Sequence, residues 1–321
     1  MQKQRFRFVW FFFWASLCGF PATLLAERTQ QIDLSALTQP FPLLSGLEEQ
    51  VLFWRDVFSL YQSNQVVVHD SKNIRLVWKV LDVSRFPKTV KGKRQKKRYL
   101  DESIKNLKKR LKRLRLDPKA RDKEDERILA LVRDNPEYLI GALKHIRKQQ
   151  GLADEFRRGF ERRKKVRTTV RALLQAEGLP IELDALPFVE SMYNPKARSH
   201  VGAAGIWQFM RTTARWLGLK VSRRIDERLN ITKATKAAAK LLNKNHKQLK
   251  EWPLAITAYN HGQNGMRRAV ETTGTTDLVK IIATYKKQTW GFASKNFYAE
   301  FLAALSVMRE IEQKEVLSGS F

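Results

Sequence analysis

The chain has 321 residues, 43% of them hydrophobic and eight of them tryptophan. That composition excludes a disordered polymer and leaves one large domain or two small ones with a sizeable core. Sixty-one Lys and Arg against 32 Asp and Glu give a net charge of +29, which calls for an anionic partner or surface; nucleic acid, membrane headgroups and wall polymers satisfy it equally.

The first residues narrow that choice. Lys3, Arg5 and Arg7 precede a stretch without charge from Phe8 to Ala26. It reads as a secretory signal peptide, residues 1–26, cleaved after Ala26. The competing reading is a retained membrane anchor, since the stretch is barely long enough to span a bilayer. Gly19, Pro21 and the small residues after them favour removal, and Leu17 before Cys18 argues against lipid attachment. Without residues 1–26 no cysteine remains, so no disulfide framework is expected. Export also weakens the nucleic-acid reading, and no nucleic-acid partner is expected.

Residues 27–90 read as a small N-terminal segment. Leu47, Val51, Trp54, Phe58 and Tyr61 fall on one face of a predicted helix. QVVVHD and IRLVWKVLDV, around the polar SKN, read as a β-hairpin with His69 in a packing role. Residues 91–170 read as a basic helical region: Lys91 to Arg171 holds 29 Lys and Arg against 12 Asp and Glu. Leu107, Leu111 and Leu114 form its thin apolar stripe. Helices follow at ERILALVRD, at PEYLIGALKHIRKQQG and at ADEFRRGFERRKKVRTTVRALLQAEG, with the glycines of QQG and AEG as stops. Most of this charge is expected on solvated helix faces, with part of it free to meet an anionic envelope surface. Residues 171–315 read as a helical catalytic domain, with no repeat or low-complexity tract.

The five histidines have no paired spacing, no cysteines cluster, and no phosphate loop or dinucleotide fingerprint is present, so neither metal nor cofactor is expected. Ser191 lacks the flanking glycines of a nucleophile elbow. What remains is a carboxylate. Pro180 opens IELDALPFVESM as one predicted helix, bent at Pro187, with Leu183, Leu186 and Val189 on its buried face. Glu190 follows at its end. A carboxyl withdrawn from water has a raised pKa and can act as a general acid. Judged on this helix alone, a capping or salt-bridged Glu is the better reading. The neighbours shift the balance: Gly202 to Gly205, then Trp207 and Gln208, later Tyr259 and Asn260, then Phe297 and Tyr298, supply the aromatic faces, amides and hydroxyls that a sugar site needs.

VES-x-YNP-x-A-x-S, then GAAGIWQFM, then AYNHG, then FASKNFYAEFLAAL, over about 179–308, resemble in order and spacing the lytic transglycosylases of glycoside hydrolase family 23, nearest to the membrane-bound murein transglycosylases of the D type. The resemblance implies a mainly α protein with a lysozyme-like helical catalytic domain, behind the basic helical region and the small segment with its hairpin. It implies peptidoglycan glycan strands as substrate and cleavage without water to 1,6-anhydro ends, in an exported, periplasmic or envelope-associated monomer. Glu190 then corresponds to the single acid and base, and Ser191 to a serine supporting its helix. Ser199, Gln208, Phe209, Met210, Tyr259 and Asn260 correspond to groups that line the substrate site. Tyr298 corresponds to a tyrosine that approaches the acid in relatives. His261, and RTT after Met210, depart from the usual pattern. Two rivals stand beside this reading. One is a goose-type muramidase using water, disfavoured because no second carboxylate is evident beside Glu190. The other is a wall-binding protein that has lost catalysis, disfavoured because the motif residues are intact.

Overall fold

The computed structural model describes residues 37, 39–133 and 137–319. The signal peptide or anchor expected at 1–26 lies outside the described residues. Among those described the protein is mainly α-helical with one small sheet.

Helix α1, Glu48–Ser59, buries the expected face: Leu47, Val51, Trp54, Phe58 and Tyr61 are all enclosed. The expected hairpin forms as β1, Gln65–Asp70, and β2, Val77–Asp82, paired antiparallel. A third strand was not expected. Ile146–Gln150, read in sequence as the end of a helix, instead forms β3 and pairs with the other edge of β1, Val66 opposite Gln150 and Asp70 opposite Ile146. The sheet order is therefore β2-β1-β3. The helix read through 145–150 stops at His145, because ladder bonds to an otherwise open strand edge outweigh weak helical preference. Gly151 is accordingly no helix stop. A Cβ there would lie 2.3 Å from the Gln62 carbonyl, so glycine permits close passage beside the end of β1.

Being central, β1 is buried on both faces, which explains its unbroken VVV run. Val67 points into the main core while Val66 and Val68 point into a second apolar cluster. The second cluster lies under the basic helices. Helix α2, Val90–Leu116, is capped by Thr89, whose hydroxyl accepts from the Gly92 amide at 3.1 Å. It buries Leu100, Leu107, Leu111 and Leu114 and leaves most of its Lys and Arg in solvent. Against it packs α3, Lys123–Leu131, where the fully buried Asp125 accepts from Arg110 and Arg113. Helix α4, Tyr138–His145, completes this layer and leads into β3.

The main core is organised around the last long helix. In chain order it is preceded by α5, Ala153–Lys164; α6, Arg167–Ala176; α7, Leu186–Ser191; α8, Arg211–Trp216; α9, Ile231–Leu249; α10, Trp252–His261; α11, Gln263–Thr273; and α12, Leu278–Thr284. Helix α13, Phe292–Leu317, is apolar nearly all round in its middle and packs against α1, α7 and α10. The single bent helix expected after Pro180 is two pieces. A 3-10 turn spans Ile181–Ala185, and α7 restarts with Pro187 in its first turn, where its missing N–H is harmless.

One ion pair pins this break. Arg163 of α5 is fully buried and donates through Nη2 and Nε to Asp184 Oδ2 at 2.6 and 3.1 Å; Arg171 Nε adds a 2.7 Å bond to the same oxygen. Arg163 Nη1 reaches Glu312 of α13 at 2.8 Å. Asp184→Ala leaves a buried guanidinium without its main partner and is expected to lower unfolding free energy by about 3–5 kcal/mol, measured by urea denaturation. A loss below about 1 kcal/mol would mean the pair does not organise this region.

Candidate functional site

Glu190 occupies the last turn of α7, and the chain turns sharply after it. Met192 and Tyr193 both adopt left-handed backbone angles, φ 50° and 55°, which side chains other than Gly tolerate only under constraint. The constraint is visible. Arg162 Nη2 and Nε donate to the Met192 carbonyl at 2.7 and 3.1 Å, and the Tyr193 hydroxyl donates to the Asp184 carbonyl at 2.5 Å. The Asp184–Arg163 pair and the turn after the acid therefore belong to one network.

Ser191 Oγ donates to the Ile206 carbonyl at 2.9 Å, tying α7 to the glycine-rich loop. That loop is tightly bonded within itself. Ser199 N and Ala203 O pair at 3.0 Å, the Ser199 hydroxyl accepts from Ala203 N at 3.0 Å, and Ala204 N donates to Phe209 O at 3.1 Å. Gln208, itself at φ 48°, donates through Nε2 to Gly205 O at 2.7 Å. Gly205 is required twice over: it holds φ +80°, and a Cβ would sit 1.9 Å from the Arg228 carbonyl. The close approach at this glycine is thus to the protein's own chain. Arg228, buried, donates through Nη1 to Gly202 O and Phe209 O at 2.7 and 2.8 Å and pairs with Asp226. Arg228 and Arg198 hold the Asp226 carboxyl down to about 2, so it is an ionised strut of the loop.

On α10, Tyr259 packs its ring 6.5 Å from that of Phe297, nearly parallel, and donates its hydroxyl to Trp207 O at 2.8 Å. Its phenol is held well above its usual pKa by burial and by the charge of Glu190. Asn260 is exposed, its side-chain carbonyl accepting from Ser294 at 3.0 Å. Glu190, Ser199, Gln208 and Tyr259 are half-buried, and Met210 is 42% exposed.

Two expected residues stand elsewhere. Phe209 is 3% exposed and packs its ring 6.0 Å from that of Tyr259, so it supports the site from beneath. Tyr298 is 1% exposed and donates its hydroxyl to Pro42 O at 2.8 Å, holding down the N-terminal segment. One residue of the same motif does bear on the acid. The charge of Glu190 bears on Glu300 of α13, and that of Arg147 of β3 opposes it. The second carboxylate that the sequence did not disclose is therefore present, 110 positions away. The signal was the spacing Phe297, Glu300, one helical turn on one face, but nothing local says which face meets Glu190.

Burial pushes the Glu190 carboxyl up to about 8. Glu300 is also pushed up to about 8, by burial first and then by the charge of Glu190, with Arg147 opposing. Neither carboxylate has a hydrogen-bond or ion-pair partner among the described residues. The arrangement can hold a proton near neutral pH and present it to a bound acceptor. Among the described residues no three His, Cys, Asp or Glu are grouped as a metal-binding set.

Residues 170–282 match the protein family described as Transglycosylase SLT domain. The chain is 37% identical over 100 residues to membrane-bound lytic murein transglycosylase D of Escherichia coli strain K12, a stretch covering 31% of this chain and 22% of that protein. It is 37% identical over 84 residues to membrane-bound lytic murein transglycosylase F of Pseudoalteromonas translucida strain TAC 125, covering 25% and 17%. The chain thus spans under a quarter of the length of these relatives. An inactive mutant of the lytic transglycosylase Slt from Pseudomonas aeruginosa aligns at TM-score 0.38 and 22% identity, over 46% of this chain and 24% of that one.

A carboxyl whose folded pKa exceeds its unfolded value binds more protons folded than unfolded, so its contribution to stability falls as pH rises from about 4.5 towards 8. Glu190→Gln is therefore expected to stabilise the protein by about 3 kcal/mol at pH 7 and by close to nothing at pH 4, read from urea unfolding at both values. Equal effects at the two pH values would count against a buried, protonated Glu190.

Proposed function

We propose that this chain is a lytic transglycosylase acting on the glycan strands of peptidoglycan, with Glu190 as its general acid and then its base. The observation that carries this is a carboxyl without a cationic partner among the described residues, held protonated by burial, inside the segment that matches the transglycosylase domain. Ser199, Gln208, Met210, Tyr259 and Asn260 surround it as substrate-facing groups, with Ser191 and Phe209 holding the frame.

In this mechanism Glu190 gives its proton to the oxygen bridging C1 of N-acetylmuramic acid to the next sugar, and the C1–O bond breaks. The sugar's own acetamido oxygen stabilises the positive centre at C1. Glu190, now a carboxylate, takes the proton of the 6-hydroxyl as that oxygen bonds to C1. The product is a 1,6-anhydro end and the acid is restored. The internal nucleophile is already within reach of C1, an entropic advantage that bulk water lacks.

Glu300 gives the muramidase reading a specific footing, since a hydrolase needs a base for water. Its raised pKa argues the other way: a carboxyl protonated at neutral pH cannot take a proton from water. Residues 8–26 and the membrane-bound relatives favour a place in the cell envelope, where the exposed Lys and Arg of α2 would meet anionic polymers. No helix among the described residues is long and apolar enough to cross a membrane.

Mass spectrometry of fragments released from purified sacculi tests the reaction. Muropeptides ending in anhydro-muramic acid, absent with Glu190→Gln, are the expected outcome, with turnover down at least about a thousandfold. Reducing-end products would establish a hydrolase, and retained binding without release would establish a wall-binding protein. Turnover is expected to fall as pH rises through about 8, where Glu190 loses its proton. Retention on sacculi should weaken steeply between low and high salt if the basic helices contribute; salt-independent retention would exclude them.

A further inference from the structure

His261, where the chain departs from the pattern of the family it resembles, has no part in the proposed mechanism. It closes α10 directly after Tyr259 and Asn260, and its ring has little freedom. Trp290 meets it edge-on, the ring centroids 4.8 Å apart at 84°. On α11 stands Gly265, where a Cβ would lie 2.7 Å from Cδ2 and 2.8 Å from Nε2 of the imidazole, so glycine lets the ring lie against that helix. His261 Nδ1 is 3.2 Å from the hydroxyl of Ser294, a buried residue in the first turn of α13. The Ser294 hydroxyl in turn donates to Asn260 Oδ1 at 3.0 Å. One turn further along α13, Phe297 stacks on Tyr259, so a single helix contact carries both groups. A hydroxyl has one hydrogen to donate. Since Ser294 directs it at Asn260, its oxygen can only accept from His261, and Nδ1 must carry a hydrogen. Burial and the charge of Arg268 hold the imidazole below its usual pKa, so near neutral pH it has one hydrogen and Nε2 has none.

Asn260 is exposed, and its Nδ2 has no hydrogen-bond partner among the described residues. We propose that His261 and Ser294 are positioning residues that act through Asn260: they hold its side-chain oxygen inward and turn both of its N–H groups to the bound glycan, as donors to a sugar oxygen. The direction matters because an amide can face a ligand either way round. Were Nε2 the protonated nitrogen of His261, Nδ1 would accept from Ser294. Asn260 would then have to donate to Ser294 and present its oxygen to the glycan. The ring seated by Trp290 and Gly265 thus decides whether this subsite offers a donor or an acceptor. A donor suits oxygens that can only accept, such as the acetamido carbonyl and the bridging ethers; an acceptor would suit a hydroxyl or an amide N–H. The wrong orientation leaves polar groups facing without a bond, which weakens binding. His261 and Ser294 are therefore specificity-determining although neither touches the sugar.

This inference rests on the reading of Asn260 as a substrate-facing group, and the test separates the two. Nitrogen-15 spectra of the full chain near neutral pH should show His261 with hydrogen on Nδ1 and none on Nε2, a readout that needs no substrate. In turnover of soluble glycan strands, His261→Phe and Ser294→Ala should each raise KM by about tenfold with kcat changed far less. The double variant should be no worse than either alone. His261→Asn, whose amide can place a donor where Nδ1 stands, should recover most of that loss, and His261→Gln should not. Asn260→Asp keeps the oxygen that Ser294 bonds and replaces the amide nitrogen by oxygen, so its KM should be no lower than that of Asn260→Ala. An Nε2–H tautomer, wild-type KM in Asn260→Asp, additive effects of His261→Phe and Ser294→Ala, or losses confined to kcat would overturn the proposal. Where a variant folds poorly, the spectrum of the wild type decides. Wild-type KM in Asn260→Ala would remove Asn260 from the site and the proposal with it. Undiminished turnover by Glu190→Gln would instead overturn the assignment of the acid and leave these comparisons standing.

Discussion

Arg163 is enclosed by protein on every side, and a guanidinium cannot stay there unpaired. Its bonds to Asp184 and Glu312 draw α5, the 3-10 turn and α13 to one point. The consequence reaches further than stability. Asp184 also receives the hydroxyl of Tyr193 on its backbone carbonyl, so the two ends of α7, before Leu186 and after Ser191, are tied to the same residue. Two left-handed residues in succession persist because this network over-determines them. Glu190, at the end of a six-residue helix, is thereby held without any bond to its own carboxylate among the described residues.

That last feature is what a buried acid requires. A hydrogen-bonded or ion-paired carboxylate would be stabilised in its charged form and lose its proton early, as Asp226 does beside Arg228 and Arg198. The surrounding polar groups are instead directed at one another and at the backbone: Ser191 to Ile206, Tyr259 to Trp207, Gln208 to Gly205. They fix the walls and leave Glu190 to be governed by desolvation. Stability is surrendered locally for this, as is common where charge is kept from water.

The basic region has its own logic. Long helices with many Lys and Arg bury little by themselves, and α2 does so only through a stripe of leucines set at helical spacing. Asp125 then pairs with Arg110 and Arg113, Asp122 also pairing with Arg110, and most of the remaining Lys and Arg stand in solvent. The strand β3, reached through α4, converts this layer from an appendage into a neighbour of the site, because β1 is central and its two faces serve the two clusters.

What was legible in the sequence is what depends on near neighbours along the chain. The face of α1, the hairpin, the leucine stripe of α2 and the apolar run before Glu190 all follow from periodicity and turn residues. So does the ordered set of motifs that marks the resemblance. Tertiary structure decided whatever depends on residues far apart. Ile146–Gln150 is a strand because β1 presents an open edge. Tyr298 faces Pro42 because of how α13 is rotated against the N-terminal segment, and the same rotation brings Glu300, unremarkable in FYAEF, towards Glu190. A helical sequence states which residues share a face, but only the packing of α7, α10 and β3 around α13 states what that face meets. The electrostatic environment of a carboxyl is a sum over such neighbours, which is why Glu190 could be singled out from the sequence and Glu300 could not.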